Sequence, residues 1–229
     1  MDKDMIYHAL KESMEHDCCP ICRRTDESVR ATMRSILYEG MTDMDFRKEI
    51  MSQRGFCNHH SNVFLEEGDS LAHAIVYSDA LRGALKDVVA DDFTLYETEK
   101  NCYFCTMAKE TEEQYVKACY EALHEEEFLD AYKQGGMLCM LHLHSIRKLS
   151  LASKEAEAFY LTVAQATVDK YQVLIKELDE IQRKNDYRFT GEKWTEGEKT
   201  AWKRAVNVIN DRVGLPKAAQ KKKGWFGRK

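Results

Sequence analysis

The 229-residue chain is 44% hydrophobic and 10% aromatic, enough to bury a substantial core in one or two domains. With only two prolines and eleven glycines it has few chain breakers, which argues against a strand-rich barrel or sandwich and predicts an all-α protein. The net charge of −5 conceals an acidic body: residues 217–229 hold six basic residues and no acidic one, leaving 28 basic against 39 acidic elsewhere, a balance that disfavours nucleic acid as a partner.

Met1-Asp2-Lys3-Asp4 lacks the basic and apolar regions of an export signal, and no stretch approaches the roughly eighteen uninterrupted apolar residues of a membrane span, so the expected location is the cytoplasm. In that reducing compartment, eight cysteines read as metal ligands or core thiols rather than disulfides.

Residues 5–17 form a short amphipathic segment, with Met5, Ile6, Ala9, Leu10 and Met14 near helical spacing. It leads to Cys19-Pro20-Ile21-Cys22. Met33, Ile36 and Leu37 then mark one helix, and Phe46, Ile50 and Met51 a shorter one capped by Thr42 or Asp43, with Gly40 between them. Gly55 suits a left-handed turn ahead of Cys57-Asn58-His59-His60, and a helix is predicted to start near Asn58. Ala74, Tyr77, Leu81, Leu85 and Val88 describe the expected buried face of the next helix.

The plan then repeats. Cys102-Tyr103-Phe104-Cys105 is followed, after 33 residues against 34 in the first copy, by Cys139-Met140-Leu141-His142. Val116, Cys119 and Tyr120 take the places of Met33, Ile36 and Leu37 at an offset of 83, Phe128 that of Phe46, and Gly135-Gly136 stands where Gly55 did. The longest element follows, roughly Ser153 to Lys184, with Tyr160, Ala164, Thr167, Tyr171, Leu174, Leu178 and Ile181 in heptad steps, widened by Phe159, Val163 and Ile175. This stripe is expected to pack on the chain's own units, joining them, so a monomer is favoured over a dimer. Thr195-Glu196-Gly197-Glu198 has the form of a capping box, and Ala201, Trp202, Ala205, Val208 and Ile209 give a final helix reaching Gly214.

Ligands three positions apart suit a tetrahedral metal, and the repeat of type, order and spacing makes metal binding the strongest functional signal. The expected sites are Cys19, Cys22, Cys57 and His60 in the first copy, and Cys102, Cys105, Cys139 and His142 in the second. Cys18 competes with Cys19, and His59 and His144 are alternatives to His60 and His142; Cys119 lies on an apolar face and reads as core. Zinc, two per chain, is favoured because Cys₃His is a closed set; mononuclear iron or an Fe–S cluster is the alternative. The sequence carries no catalytic fingerprint, and its Cys-x-x-Cys pairs lack a thioredoxin-like context.

The expected organisation is two duplicated metal-stapled helical units, residues 1–92 and 93–184, the second including the long helix, then a C-terminal helical extension at 185–215 and a disordered basic tail at 216–229. Function is read as a zinc-binding interaction or scaffold module, with a redox or metal-responsive protein as the rival. The expected partner is another protein, and residues Lys217 to Lys229, with Trp225 and Phe226, suit an anionic membrane surface. The paired Cys-x-x-Cys elements and Gly55-Phe56-Cys57-x-x-His60, with Lys184-Asn185-Asp186-Tyr187-Arg188-Phe189 and the helix bearing Trp202, Arg204 and Ala205, resemble a prokaryotic family of Cys-rich helical proteins of unknown function. The likeness spans residues 1–215 and implies no activity.

Overall fold

A computed structural model describes residues 3–209 apart from 39–42, 69, 98–101 and 190. The basic tail, the break at Gly40 and the end of the last helix at Gly214 lie outside the described residues. The protein is all-α: ten α-helices and no strand occur among the described residues. In the first copy these are α1 (Lys3–Ser13), α2 (Pro20–Tyr38), α3 (Met44–Ser52), α4 (Asn58–Glu67) and α5 (Ser70–Ala90). In the second they are α6 (Tyr103–Ala122), α7 (Glu126–Gln134) and α8 (Met140–Leu149), followed by α9 (Lys154–Lys184) and α10 (Glu196–Ile209).

The boundaries follow the capping chemistry. Asp43 Oδ1 accepts from the amides of Asp45 at 2.9 Å and Phe46 at 3.2 Å, so Asp43, not Thr42, caps α3. Ser153 caps α9, accepting from Ala156 N at 3.1 Å. The capping box forms, with Glu198 N donating to Thr195 Oγ1 at 3.2 Å and Thr195 N to Glu198 Oε2 at 2.9 Å. Glu198 also pairs with Lys184 at 2.8 Å where both side chains are nearly buried, which ties the start of α10 to the end of α9.

The frame of the molecule is the pair α2 and α6. Ile21 at the start of α2 shares a core with Tyr115, Cys119 and Leu123 at the end of α6, whereas Val29 and Met33 share a second core with Phe104 at its start. The two helices therefore run antiparallel, and each core surrounds one end of the pair. Cys119 is fully buried, as its apolar register requires.

Gly55 adopts the left-handed φ of +94° and its amide donates to Ile50 O at 3.0 Å, turning the chain out of α3 toward Cys57. Gly136 does the same for the second copy at φ +63°, while Gly135 lies so close to Met14 that a Cβ there would sit 2.1 Å from its carbonyl oxygen. That approach locks the loop before Cys139 onto the end of α1.

The face of α5 differs from expectation. Its buried residues are Ala72, Val76 and Ala80, whereas Leu81 is 70% exposed, Leu85 64% and Val88 60%. Periodicity reveals that a helix has an apolar stripe but not which of two stripes faces the core. Here the small residues allow close packing, and the ion pairs Arg47–Asp79 and Arg54–Asp87 fix α5 against α3 with the leucines outward.

The heptad stripe of α9 buries Val163, Thr167 and Leu174, but Ile175 is 56% exposed and does not widen it. Its main partners are α7, α8 and α10, and its Val163 belongs to the core that also holds Leu10 and Ile21 of the first copy. Lys170 Nζ donates to the carbonyls of Tyr132, Gly135 (2.7 Å) and Gly136 (2.9 Å) and lies 3.7 Å from the centre of the Tyr132 ring. Lys170→Met should leave three carbonyls without this donor and lower stability by about 2–4 kcal/mol, read as a drop in urea midpoint at unchanged m-value. An unchanged midpoint would assign the amine no structural role.

Candidate metal centres

All four ligand pairs stand at helix starts. Cys57, Cys102 and Cys139 are the capping residues of α4, α6 and α8, and Cys19 immediately precedes Pro20 at the start of α2. The partner in each pair, His60, Cys105, His142 or Cys22, lies one helical turn on, which puts both ligand atoms at the positive end of the helix dipole, where thiolate is favoured.

The helix starts meet in twos, across the copies. One cluster, called inner here, comprises Cys19, Cys22, Cys139 and His142; the other, outer, comprises Cys57, His60, Cys102 and Cys105. This corrects the pairing expected from sequence, which kept each copy's ligands together. The reason is helix length: α2, with 19 residues, carries the chain about 28 Å from Cys19, and the nine residues of α3 return it only about 13 Å. Cys57 therefore arrives at the far end of α2, where antiparallel α6 begins, and the same mismatch of α6 and α7 delivers Cys139 to the start of α2. Cys18, Cys119, His59 and His144 belong to neither cluster.

Within each cluster the four ligand atoms lie within 4.8 Å of one another. His142 Nδ1 is 3.3 Å from Cys19 Sγ, 3.3 Å from Cys22 Sγ and 3.1 Å from Cys139 Sγ, and Cys22 and Cys139 sulfurs are 3.7 Å apart. His60 Nδ1 is 3.3 Å from Cys57, 3.6 Å from Cys102 and 3.4 Å from Cys105, with Cys57 and Cys105 sulfurs 3.6 Å apart. A single ion bonded tetrahedrally to sulfur at about 2.3 Å and nitrogen at about 2.0–2.1 Å sets S···S near 3.8 Å and S···N near 3.5 Å. The donor sets fit one ion each, and edges this short leave no room for bridging sulfides.

Within each cluster the electrostatics favour one thiolate and disfavour another: at the inner one, hydrogen bonding with Cys139 and Cys19, and then burial, hold the Cys22 thiol well above its ordinary range. Burial opposes ionisation of Cys19, yet hydrogen bonding with Cys139, Cys22 and His142 outweighs it and holds this thiol well below its ordinary range. Burial likewise opposes ionisation of Cys102, but His60 and the backbone amides of Cys57 and Cys105 hydrogen-bond to its sulfur and lower it. Cys105 is pushed up to about 12, by burial and then by the neighbouring Cys102 and Cys57. The Cys18 thiol, outside both clusters, is raised by burial to about 11.

Three supporting residues were not foreseen. Glu112 Oε1 accepts from His142 Nε2 at 2.8 Å, fixing the ring with Nδ1 toward the thiols. It lies seven residues, two helical turns, after Cys105, and that spacing was the only sequence clue. Tyr171 Oη donates to Leu138 O at 2.7 Å, and with Lys170 it clamps the loop that presents Cys139.

Together the fold and the site define an all-helical protein built from a duplicated Cys-x-x-Cys and Cys-x-x-His module, with two clusters able to hold metal ions. The chain belongs to DUF6062, a family of unknown function, whose model matches it twice, at residues 1–93 and 84–214. It is similar to the "Uncharacterized 23.9 kDa protein in xynA 3'region" of Caldicellulosiruptor sp. (strain Rt8B.4), 29% identical over 202 residues that cover 86% of this chain and 97% of that protein. No solved structure matches it. None of the described helices is long and apolar enough to cross a membrane.

Proposed function

We propose that the chain is a zinc-binding helical scaffold in which two Cys₃His centres staple the duplicated copies to each other and so present a surface to a partner protein. The observation that carries this reading is the size of the two tetrahedra: ligand atoms from both copies stand at the edge lengths of a single ion coordinated by three sulfurs and one nitrogen. Zinc suits the set because it is a borderline-soft, closed-shell ion that takes thiolate and imidazole tetrahedrally, and a fourth protein ligand leaves no position for water or substrate. The interaction role is supported by the outward stripe Leu81, Leu85 and Val88 of α5, apolar side chains that a partner would cover.

Metal analysis and an absorption spectrum on protein purified without oxygen test the reading. Two zinc ions per chain and no visible band are expected. A visible thiolate-to-metal band would substitute iron and favour the redox alternative, and fewer than one ion per chain after loading would remove the metal reading altogether.

A further inference from the structure

The two centres share a ligand set and a repeat ancestry, but their surroundings differ in three ways. Around the inner centre Cys19, Cys139 and His142 are buried and Cys22 is half-buried, whereas at the outer centre His60 and Cys102 are buried, Cys57 is half-buried and Cys105 is exposed. The inner histidine is held by Glu112; at the offset of 83 that relates the copies, the position of Glu112 on α2 is occupied by Val29, a buried residue with no acceptor to offer. The loop that presents Cys139 is clamped by Lys170, by Tyr171 and by the amide of Met137, which donates to Cys18 O at 3.0 Å. On the outer side the turn before Cys57 is held instead by a half-buried ion pair, Arg54 with Asp87 at 2.6 and 2.7 Å, the same guanidinium donating to Met51 O at 2.8 Å.

From these differences, and resting on the metal-binding reading above, we infer that the centres divide the work: the inner one is a permanent structural staple, and the outer one is an exchange site that passes a soft divalent cation such as zinc to and from soluble ligands. Exchange at a closed tetrahedral centre needs an incoming donor to reach the ion while one protein ligand lets go. Cys105 is the most exposed of the eight ligands, so an incoming amine, or a thiol whose proton passes to the released Cys105 thiolate, can replace it while Cys57, Cys102 and His60 still hold the ion. No oxidant or reductant takes part. At the inner centre none of the four ligands is exposed, which hinders the incoming donor, and the Glu112 carboxylate raises the basicity of His142 and keeps its ring in place.

The test is the release of zinc from the full-length, zinc-loaded protein to the chromophoric chelator 4-(2-pyridylazo)resorcinol, followed by absorbance. Two phases of about one ion each are expected. Cys105→Ser should abolish the fast phase and keep the slow one. Glu112→Ala should speed the slow phase by roughly 10- to 100-fold, with partial rescue by Glu112→Gln, and leave the fast phase alone. Release of both ions in a single phase, loss of the fast phase in Cys22→Ser, or acceleration of the fast phase by Glu112→Ala would overturn the inference. Should Cys105→Ser fail to fold, Glu112→Ala decides on its own: acceleration of the slow phase supports the division, and any other response refutes it. Protein that takes up less than one zinc ion per chain would instead overturn the metal reading on which the division rests.

Discussion

Replacing Cys57 with alanine should remove one ion per chain, and the ion lost should be the one that Cys102 and Cys105 bind, leaving the ion on Cys19 and Cys22 in place. Double variants make the crossing explicit. Cys57→Ala with Cys102→Ala strikes one centre twice and should retain one ion, whereas Cys57→Ala with Cys22→Ala strikes both and should retain none. Pairing within each copy demands the opposite result, so one retained ion in the Cys22 and Cys57 double variant would refute the crossed arrangement. The effect on stability is expected to be large. Binding of a structural zinc ion contributes on the order of 10 kcal/mol at neutral pH, comparable with the whole folding stability of an ordinary domain. Cys57→Ala should therefore loosen the core formed by Val29, Met33, Phe56 and Phe104 around the outer centre. Cys119→Ala, by contrast, removes a buried sulfur that coordinates nothing, and should cost only about 1–3 kcal/mol with both ions kept.

Stripping the metal at neutral pH, or lowering the pH, should destabilise the protein in the same direction. The sign follows from the thiolates. Cys19 and Cys102 have folded values below their ordinary ones, so each contributes stability that is present above the unfolded value and lost as pH falls through the folded one. The metal adds to this with the same sign, because a proton and the ion compete for one sulfur lone pair. Melting temperature should thus fall as the pH is lowered from neutrality. Excess EDTA at pH 7 should lower it by about 20–40 °C for each ion stripped, given about 2–4 °C per kcal/mol for a chain of this size and on the order of 10 kcal/mol per ion. Identical melting with and without chelator would mean that the clusters do not bear on folding.

Much of this was written locally. Helix class, a cap at Thr42 or Asp43, the capping box at Thr195, the left-handed turn at Gly55 and the four ligand pairs depend on neighbours within four or five residues, so spacing and residue type suffice to find them. The heptad of α9 likewise announced its buried face, Thr167 and Leu174 lying on a long stripe free of charge.

What sequence did not determine is which surfaces meet. On α5 both the leucine stripe and the row Ala72, Val76 and Ala80 recur at helical spacing, and the choice between them fell to the ion pairs that α3 offers. The pairing of ligands is the larger case. A repeat invites the assumption that each copy closes on itself, and every local signal is consistent with that. The closure fails because α3 and α7 are half the length of α2 and α6, so a returning chain stops at the wrong end of its own helix and the right end of the other copy's. Sequence thus determined the ligands and the helices that carry them. The antiparallel packing of α2 and α6, together with the short return through α3 and α7, decided which of these residues cluster, since distance in space, unlike periodicity, is a property of the assembled copies.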